Sequence, residues 1–543
     1  MKSAAGALAL ALSLTVVLAP RFGAQPAPKA APAKLAVLIV VDQMRADYVD
    51  RFNGEWTGGL KRLATQGAWF QQAAYPYLTT VTCAGHATIS TGTFPNTHGV
   101  FQNSWWDREA RKQMLCNEDP RVKDVGYGVA VTGGDSAWRL QVPTFTDQMR
   151  SSRNAHVVSL ALKARSAIML AGHGGDAVTW LTETLDGWET AAGYSETGVP
   201  AVKAFVDANP ITADFGKTWE RSLPAASYAG TDEGLGEAPP QGWTRSFPHP
   251  LKGTANAVDA TYFAQWERSP FADAYIGRFA AALVQSLQLG KHDGTDVLAI
   301  SFSSPDLVGH AFGPRSHEVQ DMYARLDLTI GALFDQLDAI VGKDQWVVGL
   351  TSDHGVTPIP EQLVAEGKDA GRISGSELVA AIERALHPAF GDGRHVTVIN
   401  TNDVYFEPGI YEKIAQKKGL IGSVISAIES RPGVRRAFRS EELRGGATSK
   451  DPLLRAAALS YVPGRSGDII FAAKPGWMIS SAGTTHGSAT ADDQRVPILF
   501  LGRGIEPGTY QQAATPADLT PTLAAISGLS MKAEGHPLAC VTK

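Results

Sequence analysis

Residues 35–42, LAVLIVVD, form an unbroken apolar run rich in Val and Ile that ends in an acid. A strand covered on both faces has this pattern, as in a parallel sheet. The runs at 296–306 (DVLAISFSSPD), 345–355 (QWVVGLTSDHG) and 496–502 (VPILFLG) repeat it. Between them, VQDMYARLDLTIGALFDQLDAIV at 319–341 has helical spacing. The segment DLTPTLAAISGL at 518–529 predicts a helix capped by Asp518 and stopped at Gly528. This alternation predicts an α/β fold: an open, mostly parallel sheet flanked by helices. Two stretches break the pattern. One, near 176–274, is rich in Gly, Pro, Trp, Ser and Thr; the other, near 358–464, holds strand-like pieces such as HVTVINTNDVYFEP. Both read as inserted cap segments within a single catalytic domain spanning 35–543.

The N-terminus has its own pattern. Lys2 precedes a short apolar run at 4–19, followed by a Pro/Ala-rich tail at 25–34. A basic start, a short apolar run and a small-residue tail predict a secretory signal peptide ending near residue 24, with an N-terminal anchor as the alternative. The run is short for a membrane span, so the expected location is periplasmic or secreted, with no membrane partner. Of the 543 residues, 44% are hydrophobic and 19% charged, an ordinary globular composition. The net charge of -5 gives no sign of a nucleic-acid partner. Cys83, Cys116 and Cys540 are odd in number, so they cannot all pair. One disulfide, such as Cys116 with Cys540, is compatible with this count, and Cys83 reads as a small buried residue. With no CxxC motif, any zinc must be held by Asp and His.

Three of the four strand-like runs lead into acids: Asp42, Asp306 and Asp353. In an open parallel sheet, ligands bind beyond the carboxyl ends of the strands. Three carboxylates there repel one another unless cations neutralise them. Histidines stand close by in sequence. Asp306 and His310 are four apart, and so share a face if a helical turn begins there. Asp353 and His354 are adjacent before Gly355, and His486 sits in the small-residue loop GTTHG. Asp and His together suit zinc better than magnesium. Singly, each acid reads as a turn or cap residue and each histidine as structural; only their joint placement points to metal. Thr82 precedes CAGHATIS, which can start a helix, so its hydroxyl is either a plain cap or a nucleophile at a positive helix end. Metal coordination is one way to activate such a hydroxyl. His86, His98, His173 and His317 read as structural.

The segments VDQMRADY, TVTCAGHATISTGTFPNTHGV, SSPDLVGHAFGP, TSDHG and GTTHG, taken in order from Asp42 to His486, resemble the alkaline phosphatase superfamily. They are most similar to its PafA-like branch of monomeric, threonine-using bacterial alkaline phosphatases. The resemblance implies a monomer with two zinc ions per chain. Asp306, His310 and His486 would hold one ion; Asp42, Asp353, His354 and the Thr82 oxygen would hold the other. It further implies that Asn103, Lys163 and Arg165 contact the phosphoryl group. The implied reaction is hydrolysis of small phosphate monoesters through a phosphothreonine on Thr82. A nucleotide pyrophosphatase/phosphodiesterase-like diesterase is the alternative, since such enzymes share the core but lack the basic pair. A sulfatase lacks support, because no C/S-x-P-x-R segment occupies the nucleophile position. A binding protein that has lost catalysis would not be expected to keep all six ligands and the nucleophile.

Overall fold

The computed structural model describes Met1 and residues 31–542; the remainder of the expected signal peptide and most of the Pro/Ala-rich tail lie outside the described residues. Residues 32–542 fold as one compact unit around a ten-stranded sheet. Its order is Gly508–Ala514, Ala68–Ala73, Ile498–Gly502, Trp346–Thr351, Leu35–Val41, Asp296–Phe302, Val157–Ala161, Ala177–Leu181, Trp188–Ala191, Asp124–Gly126.

The five strands from Trp346–Thr351 to Ala177–Leu181 are mutually parallel. The Leu35–Val41 strand lies between Trp346–Thr351 and Asp296–Phe302, and its alternation explains why its sequence is apolar throughout. Leu35, Val37, Ile39 and Val41 join one hydrophobic cluster, while Ala36, Leu38 and Val40 join the cluster on the opposite face. Each fully buried Val, Leu or Ile contributes roughly 1.5–3 kcal/mol, so this strand is pinned from both sides. The register sets the strand ends level: Val40 pairs with both Ser301 and Thr351, and Ser301 pairs with Ala161. The residues that follow these strands therefore emerge along one edge.

Several sequence expectations change here. Ile498–Gly502 is buried as expected, but it runs antiparallel to both of its neighbours. An apolar run encodes burial on two faces, not the direction of its partners. The irregular stretch near 176–274 begins with two strands of the main sheet, Ala177–Leu181 and Trp188–Ala191; its turns and short helices follow them. The stretch near 358–464 folds around a four-stranded antiparallel sheet, Val396–Asn400, Asp403–Phe406, Ile469–Ala473 and Val434–Arg439. Its third strand in that order lies beyond residue 464. The helices Gly375–Phe390 and Leu420–Glu429 complete the core of this small sheet. The C-terminal helix runs Leu519–Ile526, and Asp518 instead accepts hydrogen bonds from the backbone N–H groups of Thr515 and His536.

Candidate metal centre and active site

Asp42 follows the Leu35–Val41 strand directly. Asp306 and His310 lie on the Ser304–Phe312 helix that leaves the next strand, and Asp306 Oδ1 is 3.2 Å from His310 Nε2. Asp353 and His354 follow Trp346–Thr351. His486 arrives on a loop whose Gly483 packs against the His310 carbonyl; a Cβ there would sit 2.2 Å from that oxygen. The sheet edge thus gathers all three acids and all three histidines, every one of the acids buried.

The histidines share one arrangement. Nδ1 of His310 donates to Thr484 O (2.8 Å), that of His354 to Gly355 O (2.9 Å) and that of His486 to Thr80 O (2.8 Å). A carbonyl only accepts, so each Nδ1 carries a proton, and in the neutral ring the Nε2 keeps the lone pair. Those Nε2 atoms face carboxylates. His354 Nε2 is 3.5 Å from Asp42 Oδ1 and 3.4 Å from Asp353 Oδ2, and His486 Nε2 is 3.6 Å from Asp306 Oδ1. Asp42 Oδ1, Asp353 Oδ2 and His354 Nε2 are buried with no hydrogen-bond partner among the described residues. Buried polar atoms left so are costly unless something else satisfies them. Lone-pair donors aimed at one another fit a divalent cation, and backbone acceptors behind each imidazole are the usual support of metal-binding histidines.

Two ligand groups result. Asp42, Asp353 and His354 bring one atom each within 4.8 Å of one another, as do Asp306, His354 and His486. His354 belongs to both because its ring stacks on that of His486, with centroids 3.4 Å apart. The resemblance implies His310 as the third partner of Asp306 and His486; His310 touches Asp306 but lies outside that tightest group.

Charge points the same way. Burial pushes the Asp42 carboxyl well above the ordinary range, and Asp306 and Asp353 push it further. Burial also opposes ionisation of Asp306, but His310 and Lys163 hold that carboxyl well below the ordinary range. Asp353 is likewise held low against burial, by His354 and His86. Burial depresses His354 and His486, keeping them neutral as ligands must be. Three acidic side chains crowd around one ammonium, and too few anchored cations lie among them to ionise all three at ordinary values.

That ammonium is Lys163. Its Nζ donates to Asp42 Oδ2 (2.6 Å) and Asp306 Oδ2 (2.5 Å), bridging the two ligand groups. Two buried carboxylates draw the one long, flexible cation within reach. Arg165, in the first turn of the Ala164–Ala171 helix, is half-buried, and its Nε has no hydrogen-bond partner among the described residues.

Thr82 is the first residue of the Thr82–Thr91 helix and is buried beside this cluster. The helix approaches so closely that a Cβ on Gly85 would lie 2.3 Å from the Asp353 carbonyl oxygen. His86, one turn on, has Nδ1 2.9 Å from Thr82 O and 3.2 Å from Asp353 Oδ2. Asn103 Oδ1 accepts the N–H of Cys83 at 2.8 Å. Cys83 is not a free buried thiol: it forms a disulfide with Cys116, and Cys540 is free and buried, so the Cys116–Cys540 pairing does not occur. A cavity of about 300 Å³ is lined by Val81, Asn103, His310 and His486 together with Phe471 and Trp477.

Sequence reasoning missed Gln43. It is buried with φ of 67°, its Nε2 donates to Asp306 Oδ1 (2.6 Å), and its N–H donates to Asp353 Oδ1 (3.1 Å). It therefore ties one ligand group to the other. Its one sequence signal is position, directly after a strand-end acid. Gly309 makes the room, since a Cβ there would fall 1.8 Å from Gln43 Oε1.

A parallel-cored sheet carrying carboxylates and imidazoles at its carboxyl edge, with a hydroxyl on a helix start beside them, defines a metal-dependent hydrolase. The model of the type I phosphodiesterase/nucleotide pyrophosphatase family matches residues 36–493, so the chain belongs to that family. It is 30% identical to alkaline phosphatase PhoV of Synechococcus elongatus over 91% of this chain and 90% of that protein. It is 32% identical to alkaline phosphatase PhoK of a Sphingomonas species over 92% and 89%. The crystal structure of alkaline phosphatase PafA superposes with a TM-score of 0.86 at 29% identity, covering 95% of this chain and all of that one. Among the described residues, no helix is long and apolar enough to cross a membrane.

Proposed function

We propose that the chain is an exported alkaline phosphatase that hydrolyses phosphate monoesters through a phosphothreonine on Thr82. The observation that carries this reading is the convergence, next to Thr82, of lone-pair nitrogens and unpartnered carboxylate oxygens at one sheet edge. Asp306, His310 and His486 would hold one zinc ion and Asp42, Asp353 and His354 the other, with the Thr82 oxygen on the latter. When bound, the two ions supply an acidified nucleophile hydroxyl and neutralise the leaving oxygen.

The chain's own groups supply the rest. Thr82 Oγ1 gives its proton to solvent and attacks phosphorus, the bond to the leaving oxygen breaks, that oxygen leaves as an alkoxide or aryloxide that solvent protonates, and a phosphothreonine remains. Water then attacks from the opposite face, releasing inorganic phosphate and restoring Thr82. The positive end of the Thr82–Thr91 helix favours the anion bound there. Asn103, fixed through Oδ1 on Cys83 N–H, presents its Nδ2 donors to a phosphoryl oxygen. Once cations neutralise Asp42 and Asp306, the Lys163 ammonium is free to serve the phosphoryl group together with Arg165.

Export is supported by the Cys83–Cys116 disulfide, a bond that persists in oxidising compartments, together with the apolar run at 4–19. The family also gives grounds for a diesterase reading, because every metal ligand and Thr82 would serve a diester equally. Lys163 and Arg165 favour the monoester, whose phosphoryl group carries an additional charge. The test is Thr82→Ala. It should lose nearly all hydrolysis of an aryl phosphate while zinc, counted by elemental analysis, stays at the wild-type content. Thr82→Ser should retain appreciable turnover, and acid trapping should place phosphate on Thr82. An active alanine variant, or phosphate on Thr80, overturns the assignment.

A further inference from the structure

We propose that Glu383, His387 and His395 form a third divalent-metal site, of the zinc class, in the inserted region. Glu383 and His387 are four apart on the Gly375–Phe390 helix and so share a face. The helix ends at Gly391, whose φ of 79° turns the chain back and returns His395 to that face. One donor atom from each residue lies within 4.8 Å of the others.

The site is built rather than incidental. Glu383 Oε1 accepts two backbone N–H groups, from His395 and Val396, each at 2.8 Å, which fixes the carboxylate plane. The other oxygen, Oε2, is 2.7 Å from His395 Nδ1 and 3.8 Å from His387 Nε2. The far nitrogen of His387, Nδ1, lies 3.6 Å from Asp392 Oδ1 on the solvent side. Glu383 and His395 side chains are 13% and 8% exposed, while His387 is 37% exposed and forms the open side. Two imidazoles, one carboxylate and a solvent-facing fourth position are a zinc-type donor set, poor for calcium or magnesium. An ion entering takes the place of the proton that His395 Nδ1 now donates to Glu383 Oε2; that proton leaves to solvent as Nε2 takes one up, so the imidazole binds as the neutral Nε2–H tautomer. The ion would then bond the helix to the start of the Val396–Asn400 strand.

The experiment compares zinc bound per chain, by equilibrium dialysis and elemental analysis, in the full-length wild type and in His387→Ala. The variant should bind one equivalent fewer, with aryl phosphate hydrolysis unchanged, and His387→Cys should restore that equivalent. After cobalt substitution, the difference spectrum between wild type and variant should contain the visible bands of one Co²⁺ site. Because the comparison counts a difference, it holds whatever the occupancy of the catalytic cluster. Equal zinc content in wild type and His387→Ala overturns the proposal.

Discussion

Asn103 Oδ1 accepts the backbone N–H of Cys83 at 2.8 Å, so the amide proposed to hold phosphate is fixed to the residue that follows Thr82. The Asn103 carbonyl also accepts the N–H of Cys116, at 2.9 Å, and Cys116 closes the disulfide to Cys83. One asparagine thus aligns the nucleophile helix, the disulfide and the phosphoryl contact. Asn103→Ala removes both the phosphoryl donor and the acceptor for Cys83 N–H. It should lower monoester kcat/KM by about tenfold to a hundredfold, as expected for loss of a hydrogen bond to a charged group. Steady-state kinetics on an aryl phosphate checks this, and an unchanged kcat/KM removes Asn103 from the phosphoryl contact.

On the proposed reading, Lys163 and Arg165 carry the choice between monoesters and diesters. A monoester dianion offers a third non-bridging oxygen and one more charge than a diester. The wild type should therefore prefer monoesters by several powers of ten. Replacing both residues by Ala should reduce monoester kcat/KM far more than diester kcat/KM, with each contact worth about 1.5–3 kcal/mol. The ratio of the two activities in wild type and double variant is decisive. Equal loss of both activities, or a wild type that prefers diesters, supports the diesterase reading.

Gln43 should govern metal retention more than chemistry. Its side chain and backbone hold Asp306 and Asp353 respectively, so it touches both ligand groups without being a ligand itself. In Gln43→Ala the carboxamide support of Asp306 is lost, and metal should leave about tenfold to a hundredfold faster, the usual range for loss of a group behind a ligand. Zinc release to a chromogenic chelator measures this directly. Release at the wild-type rate removes Gln43 from that role.

His249 and Glu318 predict a pH dependence of stability. Both are fully buried, with Nε2 2.8 Å from Oε1. Burial pushes the Glu318 carboxyl up to about 9 and the His249 imidazole down to about 4, so between those values a neutral acid donates to a neutral base. A carboxyl raised on folding stabilises fully below its unfolded value. That contribution is lost as pH climbs from about 4.5 towards 9, because the unfolded chain gives up the proton first. Glu318→Gln keeps a donor towards His249 without the titration. Its melting temperature should rise relative to wild type as pH goes from about 5 to about 9. Parallel melting curves across that range refute the assignment.

What could be read from sequence alone follows from local physics. The strands at 35–41, 296–302 and 346–351 are mostly apolar because both faces of each are covered, and the acids that follow, Asp42, Asp306 and Asp353, must then stand beyond a strand end. That gives the fold class and the edge where the chemistry lies. Motif order from Asp42 to His486 supplied the family, which the homologues support. Tertiary structure alone decided the rest. The direction of Ile498–Gly502 depends on which strands flank it, and nothing in its side chains encodes that. The pairing of Cys83 with Cys116 rather than Cys540 depends on Asn103 bringing two segments 33 residues apart into contact. The grip of Gln43 on Asp306 and Asp353, and the bridge of Lys163 between Asp42 and Asp306, span more than a hundred residues of chain. Hydrophobic periodicity records whether a residue is buried. It carries no information on which distant polar group shares that burial, and in this protein those distant polar pairs build the site.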